Sequence, residues 1–191
     1  MTNSDDLPRT LKNKLFTLSD AREAGLDSYK IKNLLAKKII ERLGRGIYRS
    51  SGGDIAEEEQ FCIATLWIGQ PSAICLLSAL AYYHLTDEIP RKTWIMVPHA
   101  KLSRHQDLCL VRVRNPNWEL GIEKHPGFWI TDVARTVVDS FAHPQIIGTQ
   151  VAVESLRKAV ENKLTSIRII YDMAMKLHVH HRISPYVELL P

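Results

Sequence analysis

Residues 16–49 constrain the fold of this chain more than any other stretch, because they carry two helix signals and one hairpin signal in close succession. Thr17 is followed three residues later by Asp20, which is the spacing of a capping box at a helix start. Gly25 is predicted to end this first helix, since glycine adopts the left-handed backbone that a C-terminal cap requires. A short helix that stops in a tight turn is therefore expected here.

A second, more basic helix is expected directly after the turn. Asp27 or Ser28 is positioned to cap it, and it is predicted to run to about Lys38. Its apolar residues recur at the spacing of one buried helix face, namely Ile31, Leu34 and Leu35. Two helices joined by a turn of three to four residues form a helix-turn-helix, whose second helix fits the major groove of DNA.

A basic hairpin is predicted to follow the second helix. The β-branched runs 39–43 and 47–49 are joined by Gly44, Arg45 and Gly46. Glycines tolerate the positive φ of a hairpin turn, and they place Arg45 at the tip. A hairpin in this position is typical of the wing of a winged helix, where it reaches a phosphate or the minor groove.

The exposed side of the second helix and the hairpin supply the candidate DNA contacts. Asn pairs bidentately with adenine and Lys donates to guanine, so base contacts are expected from the N-terminal part of the helix: Ser28, Tyr29, Lys30 and Asn33. Phosphate contacts are expected from the remaining cations of the segment, namely Lys32, Lys37, Arg42, Arg45 and Arg49. Which lysine reads a base and which contacts a phosphate stays open. About five neutralised phosphates predict a log–log salt slope of about −4 to −5.

The distribution of charge indicates the same kind of partner. The chain has a net charge of +4, and residues 1–50 carry 11 Lys and Arg against 6 Asp and Glu. The remaining residues carry 14 and 15, respectively. The excess positive charge therefore lies in the first 50 residues, as a phosphate-binding surface requires.

The run Ser50-Ser51-Gly52-Gly53 is the clearest linker and predicts a domain boundary near residue 52. We expect a winged helix-turn-helix DNA-binding domain over residues 1–51, with an additional first helix over 7–15, and an α+β domain over residues 54–191. In the second domain, a small sheet of three or four strands is expected between helices. The predicted helices are 54–69, 73–85 (capped by Ser72), 132–141 (capped by Thr131), 145–162, 165–179 and a short one from Ser184; the predicted strands are 93–97, 108–113, 120–123 and 128–130.

Cysteine usage and hydropathy favour a cytoplasmic protein. Cys62, Cys75 and Cys109 are widely spaced and each lies in an apolar run, which is typical of free thiols in a reducing compartment. The polar, acidic N-terminus does not resemble a secretory signal. No apolar run approaches the roughly 20 residues of a membrane span.

Candidate reaction sites are sparse, and we expect no catalytic site, no cofactor and no metal. A metal-dependent nuclease could use the acids Glu119 and Glu123 together with Lys124. On a strand, however, the two acids would share one face and the lysine would point to the other. His178, His180 and His181 lack the i, i+4 spacing of helical zinc pairs, so a cationic helix end explains them better.

A winged helix that binds an acidic protein instead of DNA remains an alternative.

The pair Arg135 and Asp139 lies i, i+4 in an otherwise apolar helix. Two interpretations stay open. One is an intrahelical ion pair that contributes a few tenths of a kcal/mol. The other is a partly buried arginine that pins the helix to the sheet.

Taken together, these segments resemble AbiEi-type antitoxins of bacterial abortive-infection (type IV toxin–antitoxin) systems. FTLSDAREAGLDSYKIKNLLAKKIIERLGRGIYR resembles the N-terminal winged helix of that family; PSAICLLSALAYYHLTDEIP, WIMVP and ITDVARTVVDSF resemble its C-terminal domain. The resemblance implies an autorepressor that binds inverted repeats upstream of a two-gene operon and counters a nucleotidyltransferase toxin encoded beside it. The DNA contacts that it implies are Ser28, Tyr29, Lys30, Lys32, Asn33 and Arg45.

Overall fold

The computed structural model describes residues 7–12, 14–51, 57–103 and 105–187. The chain divides into two compact units between Trp67 and Ile68. This division lies beyond the boundary expected near residue 52, because the helix that follows the glycine run belongs to the first unit except for its last residue, Ile68. The glycines of the predicted linker and the first residues of that expected helix lie outside the described residues.

In its described residues, the first unit combines a small sheet with three α-helices. Its elements in chain order are a 3₁₀ turn Arg9–Leu11, β1 Leu15–Thr17, α1 Leu18–Glu23, α2 Ser28–Ala36, β2 Ile40–Gly44, β3 Ile47–Ser50 and α3 Glu57–Ile68. The strands pair antiparallel in the order β1-β3-β2. Phe16 stacks on Tyr48 with ring centroids 5.8 Å apart, and this pair is buried with Ile31 and Leu34 of α2.

The two predicted helix starts and the turn between them are confirmed. At α1 the backbone N–H of Asp20 donates to Thr17 Oγ1 at 3.2 Å, and the Thr17 N–H donates to Asp20 Oδ2 at 2.7 Å, which completes a capping box. Gly25 takes a left-handed φ of +80°. Asp27 caps α2, which ends at Ala36, slightly before the predicted limit.

The helix expected over residues 7–15 is wrong. The described residues of this segment form a 3₁₀ turn, and Leu15 instead begins β1. Leu7 and Leu11 are nevertheless buried in the core of the unit. Leu7 and Leu11 therefore reach the core without a helix. The helix does not form because the backbone is extended at Lys12 and residues 15–17 then pair with β3.

The second unit is built on a five-stranded sheet in the order β6-β5-β4-β8-β7. Its strands are β4 Ala73–Ile74, β5 Thr93–Pro98, β6 Leu108–Val113, β7 Ile122–His125 and β8 Phe128–Thr131. The pairs β4–β8 and β5–β6 are parallel, and the pairs β4–β5 and β7–β8 are antiparallel. Its helices are α4 Leu76–Tyr82, α5 Val133–Ala142, α6 Pro144–Ile147, α7 Thr149–Glu161, α8 Ile167–Lys176 and α9 His180–Val187. The α+β class is confirmed by this mixture of helices and small sheets.

The central strand β4 corrects the sequence analysis, which expected a helix from residue 73. Ala73 and Ile74 are fully buried between strands on both sides, and Cys75 then precedes α4 as its N-cap. A short apolar run buried on all sides has no alternation, so periodicity alone does not separate it from a buried helix. Gly148, with φ +77°, similarly splits the long helix expected over 145–162 into α6 and α7.

Helix α5 carries the pair Arg135 and Asp139, and the structure combines the two interpretations. Arg135 is 3% exposed, and its Nε lies 2.9 Å from each Asp139 carboxylate oxygen. Its Nη1 also donates to the carbonyls of Trp118 at 3.2 Å and Leu120 at 2.6 Å. The arginine therefore joins α5 to the segment that leads into β7. The cap of α5 is Asp132, not Thr131, which lies in β8.

Candidate nucleic-acid interface

Helix α2 presents a polar, cationic face to solvent. Ile31 and Leu34 point into the core, and every predicted contact residue on the helix is exposed: Ser28, Tyr29, Lys30, Lys32, Asn33 and Lys37. The side chain of Tyr29 is 73% exposed, which is high for an aromatic residue on a packed helix. The face therefore offers an amide, a phenol and cations from one helix.

The N-terminus of α2 is fixed by two local hydrogen bonds. Asp27 Oδ1 accepts from the backbone N–H of Lys30 at 2.8 Å. The Lys30 ammonium donates to the carbonyl of Gly25 at 3.0 Å, at the end of α1. An ammonium has three donors. Lys30 thus ties the turn together while it retains donors for a second partner.

A shallow groove of about 260 Å³ runs along one side of α2. Its lining residues are Leu26, Lys30, Asn33, Leu34 and Lys37. Two ammonium groups and one amide border an apolar floor, an arrangement that suits an anionic or hydrogen-bond-accepting group. The groove brings together three of the residues that the sequence analysis selected for DNA contacts.

The hairpin holds Arg45 at its tip, as predicted. Gly46 takes a left-handed φ of +77°, and its carbonyl accepts from the N–H of Leu18 at 3.0 Å. Arg45 and Arg42 are exposed, and Arg42 Nε donates to the Gly44 carbonyl at 3.1 Å. The turn of the hairpin is therefore tethered to the start of α1.

Arg49 does not belong to this surface, which corrects its predicted phosphate contact. It is 9% exposed, and its guanidinium binds Glu41, with Nε 2.7 Å from Oε1, and Glu59 Oε2 at 2.8 Å. The hydrogen bond with Glu41 raises the pKa of Arg49 further. Successive strand residues point to opposite faces. Arg49 lies opposite Glu41, whereas Arg42 lies opposite Tyr48, so the two arginines face different sides of the sheet.

The net charge of the first unit is lower than that of its first 50 residues. When α3 is counted with the unit, residues 1–67 hold 11 Lys and Arg against 10 Asp and Glu, in contrast to the surplus found for residues 1–50. Exposed cations lie on α2, directly after it and on the hairpin, whereas the acids that balance them include Glu58 and Glu59 on α3. The exposed cations of α2 therefore mark a local cationic face on a unit whose net charge is close to zero.

One contact in this unit was missed by the sequence analysis. A Cβ placed on Gly44 would lie 2.3 Å from Trp67 Nε1 and 2.8 Å from its Cε2, so the indole packs directly on the glycine backbone. Gly44 lacks the left-handed φ of Gly46. A glycine inside a strand can mark the close approach of another group, and that was the available signal.

Glu119 and Glu123, the candidate nuclease acids, do not lie together on one strand as a nuclease site would require. Glu119 is exposed in a turn, and only Glu123 lies on β7. Glu123 Oε2 accepts from Tyr83 Oη at 3.3 Å and lies 3.5 Å from His125 Nε2, whereas Lys124 stacks over the Trp129 ring at 4.4 Å. Within the described ranges, no three His, Cys, Asp or Glu side chains converge as a metal site, and this includes the cluster at His178, His180 and His181.

Comparisons with known proteins support the N-terminal resemblance. Residues 6–51 match the family described as "Transcriptional regulator, AbiEi antitoxin". The resemblance to AbiEi antitoxins is thereby confirmed for this segment. A search of curated proteins finds no match.

The fold is also similar to a solved structure. The crystal structure of the RV2827C protein from Mycobacterium tuberculosis matches with a TM-score of 0.66 and 16% sequence identity, over 98% of this chain and 75% of that one. At this identity the likeness concerns the fold.

Among the described residues, no helix is long and apolar enough to cross a lipid bilayer.

Proposed function

We propose that this protein is a cytoplasmic DNA-binding transcriptional autorepressor and the antitoxin of a type IV toxin–antitoxin system. The observation that carries the proposal is the exposed polar face of α2, together with the exposed Arg45 at the hairpin tip, within the segment that matches the antitoxin family. The order helix, turn, basic helix and hairpin is that of a winged helix. In this proposal α2 enters the major groove, and the hairpin serves as the wing.

The proposed contacts divide into two groups. Ser28, Tyr29, Lys30 and Asn33 read base edges, and a bidentate contact such as Asn33 with adenine discriminates by about 1–3 kcal/mol. Because Arg49 is buried, the residues proposed to contact phosphates are now four: Lys32, Lys37, Arg42 and Arg45. Four neutralised phosphates give a log–log salt slope of about −3.6 per protomer, less steep than the sequence analysis expected.

The test is a fluorescence-anisotropy titration with duplex DNA from the protein's own promoter, which includes any inverted repeats, against a scrambled duplex. Replacing Lys32 and Arg45 together with alanine is expected to weaken binding at least about tenfold, since two charge-assisted contacts are lost. The matched control replaces Lys163 and Arg168, which are exposed cations of the second unit. Equal loss in both double variants, or no preference for promoter DNA, would contradict the proposal.

The antitoxin part is tested separately from DNA binding. Co-expression with the nucleotidyltransferase encoded in the same operon is expected to restore growth that the enzyme alone arrests. The Lys32 and Arg45 double variant should still rescue growth from a heterologous promoter, because the second unit is proposed to counter the toxin. Loss of rescue in that variant would place toxin control in the first unit.

A second candidate is a winged helix that binds an acidic protein, and the exposed Tyr29 favours it. Tyrosine is enriched among the residues that dominate protein interfaces. In that case Tyr29→Ala should abolish capture of one cellular partner, whereas Lys32→Ala has a smaller effect. Promoter DNA would not compete with that partner.

A further inference from the structure

We infer that α3 belongs to the DNA-binding apparatus and that Trp67 and Glu59 are positioning residues for the hairpin that carries Arg45. The inference rests on the proposed function, since it assumes that Arg45 contacts DNA. It extends the functional unit beyond the family segment, which ends at residue 51, to the end of the first compact unit at Trp67.

The first anchor is the contact between Trp67 and Gly44. The indole occupies the space where a Cβ of residue 44 would stand, with Nε1, Cε2 and Cζ2 at 2.3, 2.8 and 2.9 Å from that position. Gly44 is the last residue of β2 and directly precedes Arg45. The tryptophan therefore supports the backbone next to the tip of the hairpin.

The second anchor is the buried ion-pair cluster at the base of the hairpin. Glu59 of α3 and Glu41 of β2 both bind the guanidinium of Arg49 in β3. The side chains of Arg49 and Glu59 are 10% and 17% exposed, so solvent screens this pair weakly. The cluster joins both strands of the hairpin to α3.

A third contact to the hairpin comes from the start of α1. The N–H of Leu18 donates to the Gly46 carbonyl at 3.0 Å. With both ends fixed, Arg45 is presented to a phosphate in a defined place. A hairpin released from α3 would have to be ordered again on binding, and that ordering costs affinity.

The experiment uses the full chain and a double-mutant cycle on DNA affinity. Trp67→Ala alone is expected to weaken promoter binding about three- to tenfold, since it frees the tip. In an Arg45→Ala background, Trp67→Ala should cause little further loss, because its effect passes through Arg45. In a Lys32→Ala background, Trp67→Ala should reduce the affinity by the same factor as in the wild type, since Lys32 lies on α2 and not on the hairpin.

Matched variants separate positioning from general destabilisation. Leu66→Ala, at the neighbouring exposed position of α3, should leave affinity unchanged, and Trp67→Phe should restore most of it. Gly44→Ala should weaken binding in the wild-type background but not with Trp67→Ala, since the added Cβ then has room. Glu59→Gln provides a milder second route to the same coupling with Arg45 if Trp67→Ala does not fold.

The outcomes are distinct. Absence of promoter binding by the wild-type chain overturns the proposed function and this inference with it. Binding by the wild type, combined with Trp67→Ala losses that are equal in the Arg45→Ala and Lys32→Ala backgrounds, overturns the positioning role alone. Coupling to Arg45 without coupling to Lys32 supports it.

Discussion

Two arginines of this chain, Arg49 and Arg135, are buried in ion pairs, but they are held in different ways. Arg135 binds Asp139 within one helix and two loop carbonyls, so its partners are fixed in the core of the second unit. Arg49 binds two glutamates from different elements, and one of them, Glu41, has a side chain that is 41% exposed. The first pair therefore consolidates a core, whereas the second joins a hairpin to a helix.

The largest expected effect concerns the pair in the second unit. Asp139→Leu leaves the Arg135 guanidinium buried without its carboxylate, so the free energy of unfolding should fall by about 3–5 kcal/mol, measured by urea denaturation. The double variant Arg135→Met with Asp139→Leu should recover most of this loss, because no charge is then buried. A double variant as unstable as the single one would show that the pair itself is required.

A smaller effect is expected in the first unit. Glu59→Gln leaves Arg49 paired with Glu41, so the free energy of unfolding should fall by about 1–2 kcal/mol. Gln60→Ala, at an exposed neighbouring position, serves as the control and should be neutral. If Glu59→Gln lowers the free energy of unfolding as much as Asp139→Leu does, the proposed difference between the two ion pairs is contradicted.

Arg45 and Arg49, two of the three arginines of the hairpin, should differ in their effect on the salt dependence of the proposed DNA binding. Arg45→Gln is expected to reduce the magnitude of the log–log slope by about 0.9, since one phosphate contact is lost. Arg49→Gln should leave the slope unchanged when both are measured by anisotropy well below the unfolding temperature. A reduced slope for Arg49→Gln that persists in an Arg45→Ala background would return Arg49 to the proposed DNA contacts.

The smallest effect should come from an exposed pair of the same type. Arg157 and Glu161 lie i, i+4 on α7 with Nε and Oε1 4.0 Å apart, and both side chains are more than half exposed. Arg157→Ala should change the free energy of unfolding by less than about 0.5 kcal/mol, because solvent screens the pair. A larger loss by urea denaturation would mean that burial is not what distinguishes the three arginines.

Much of the first unit could be predicted from local signals. The capping box at Thr17, the left-handed Gly25 and the cap at Asp27 depend on residues within one helical turn, so the sequence is sufficient for them. The exposed face of α2 followed from the burial of Ile31 and Leu34. The placement of the cations on that face could therefore be predicted as well.

The errors have tertiary causes. The side to which Arg49 points depends on the register between β2 and β3, which pairs it with Glu41. The membership of α3 in the first unit depends on contacts with Gly44 and Arg49, which no local pattern of α3 reveals. Helix and strand signals specify elements, but they do not specify which face of a sheet a later helix covers.

The position of β4 at the centre of the second sheet has a consequence for synthesis of the chain. Ile74 must pair with Ile95 on one side and with Ile130 on the other before the sheet is continuous. Pairings between distant residues slow folding, since a large loop has to close first. During translation β4 therefore lacks one of its two neighbours until β8 has left the ribosome, whereas the paired strands of the first unit all lie within residues 15–50.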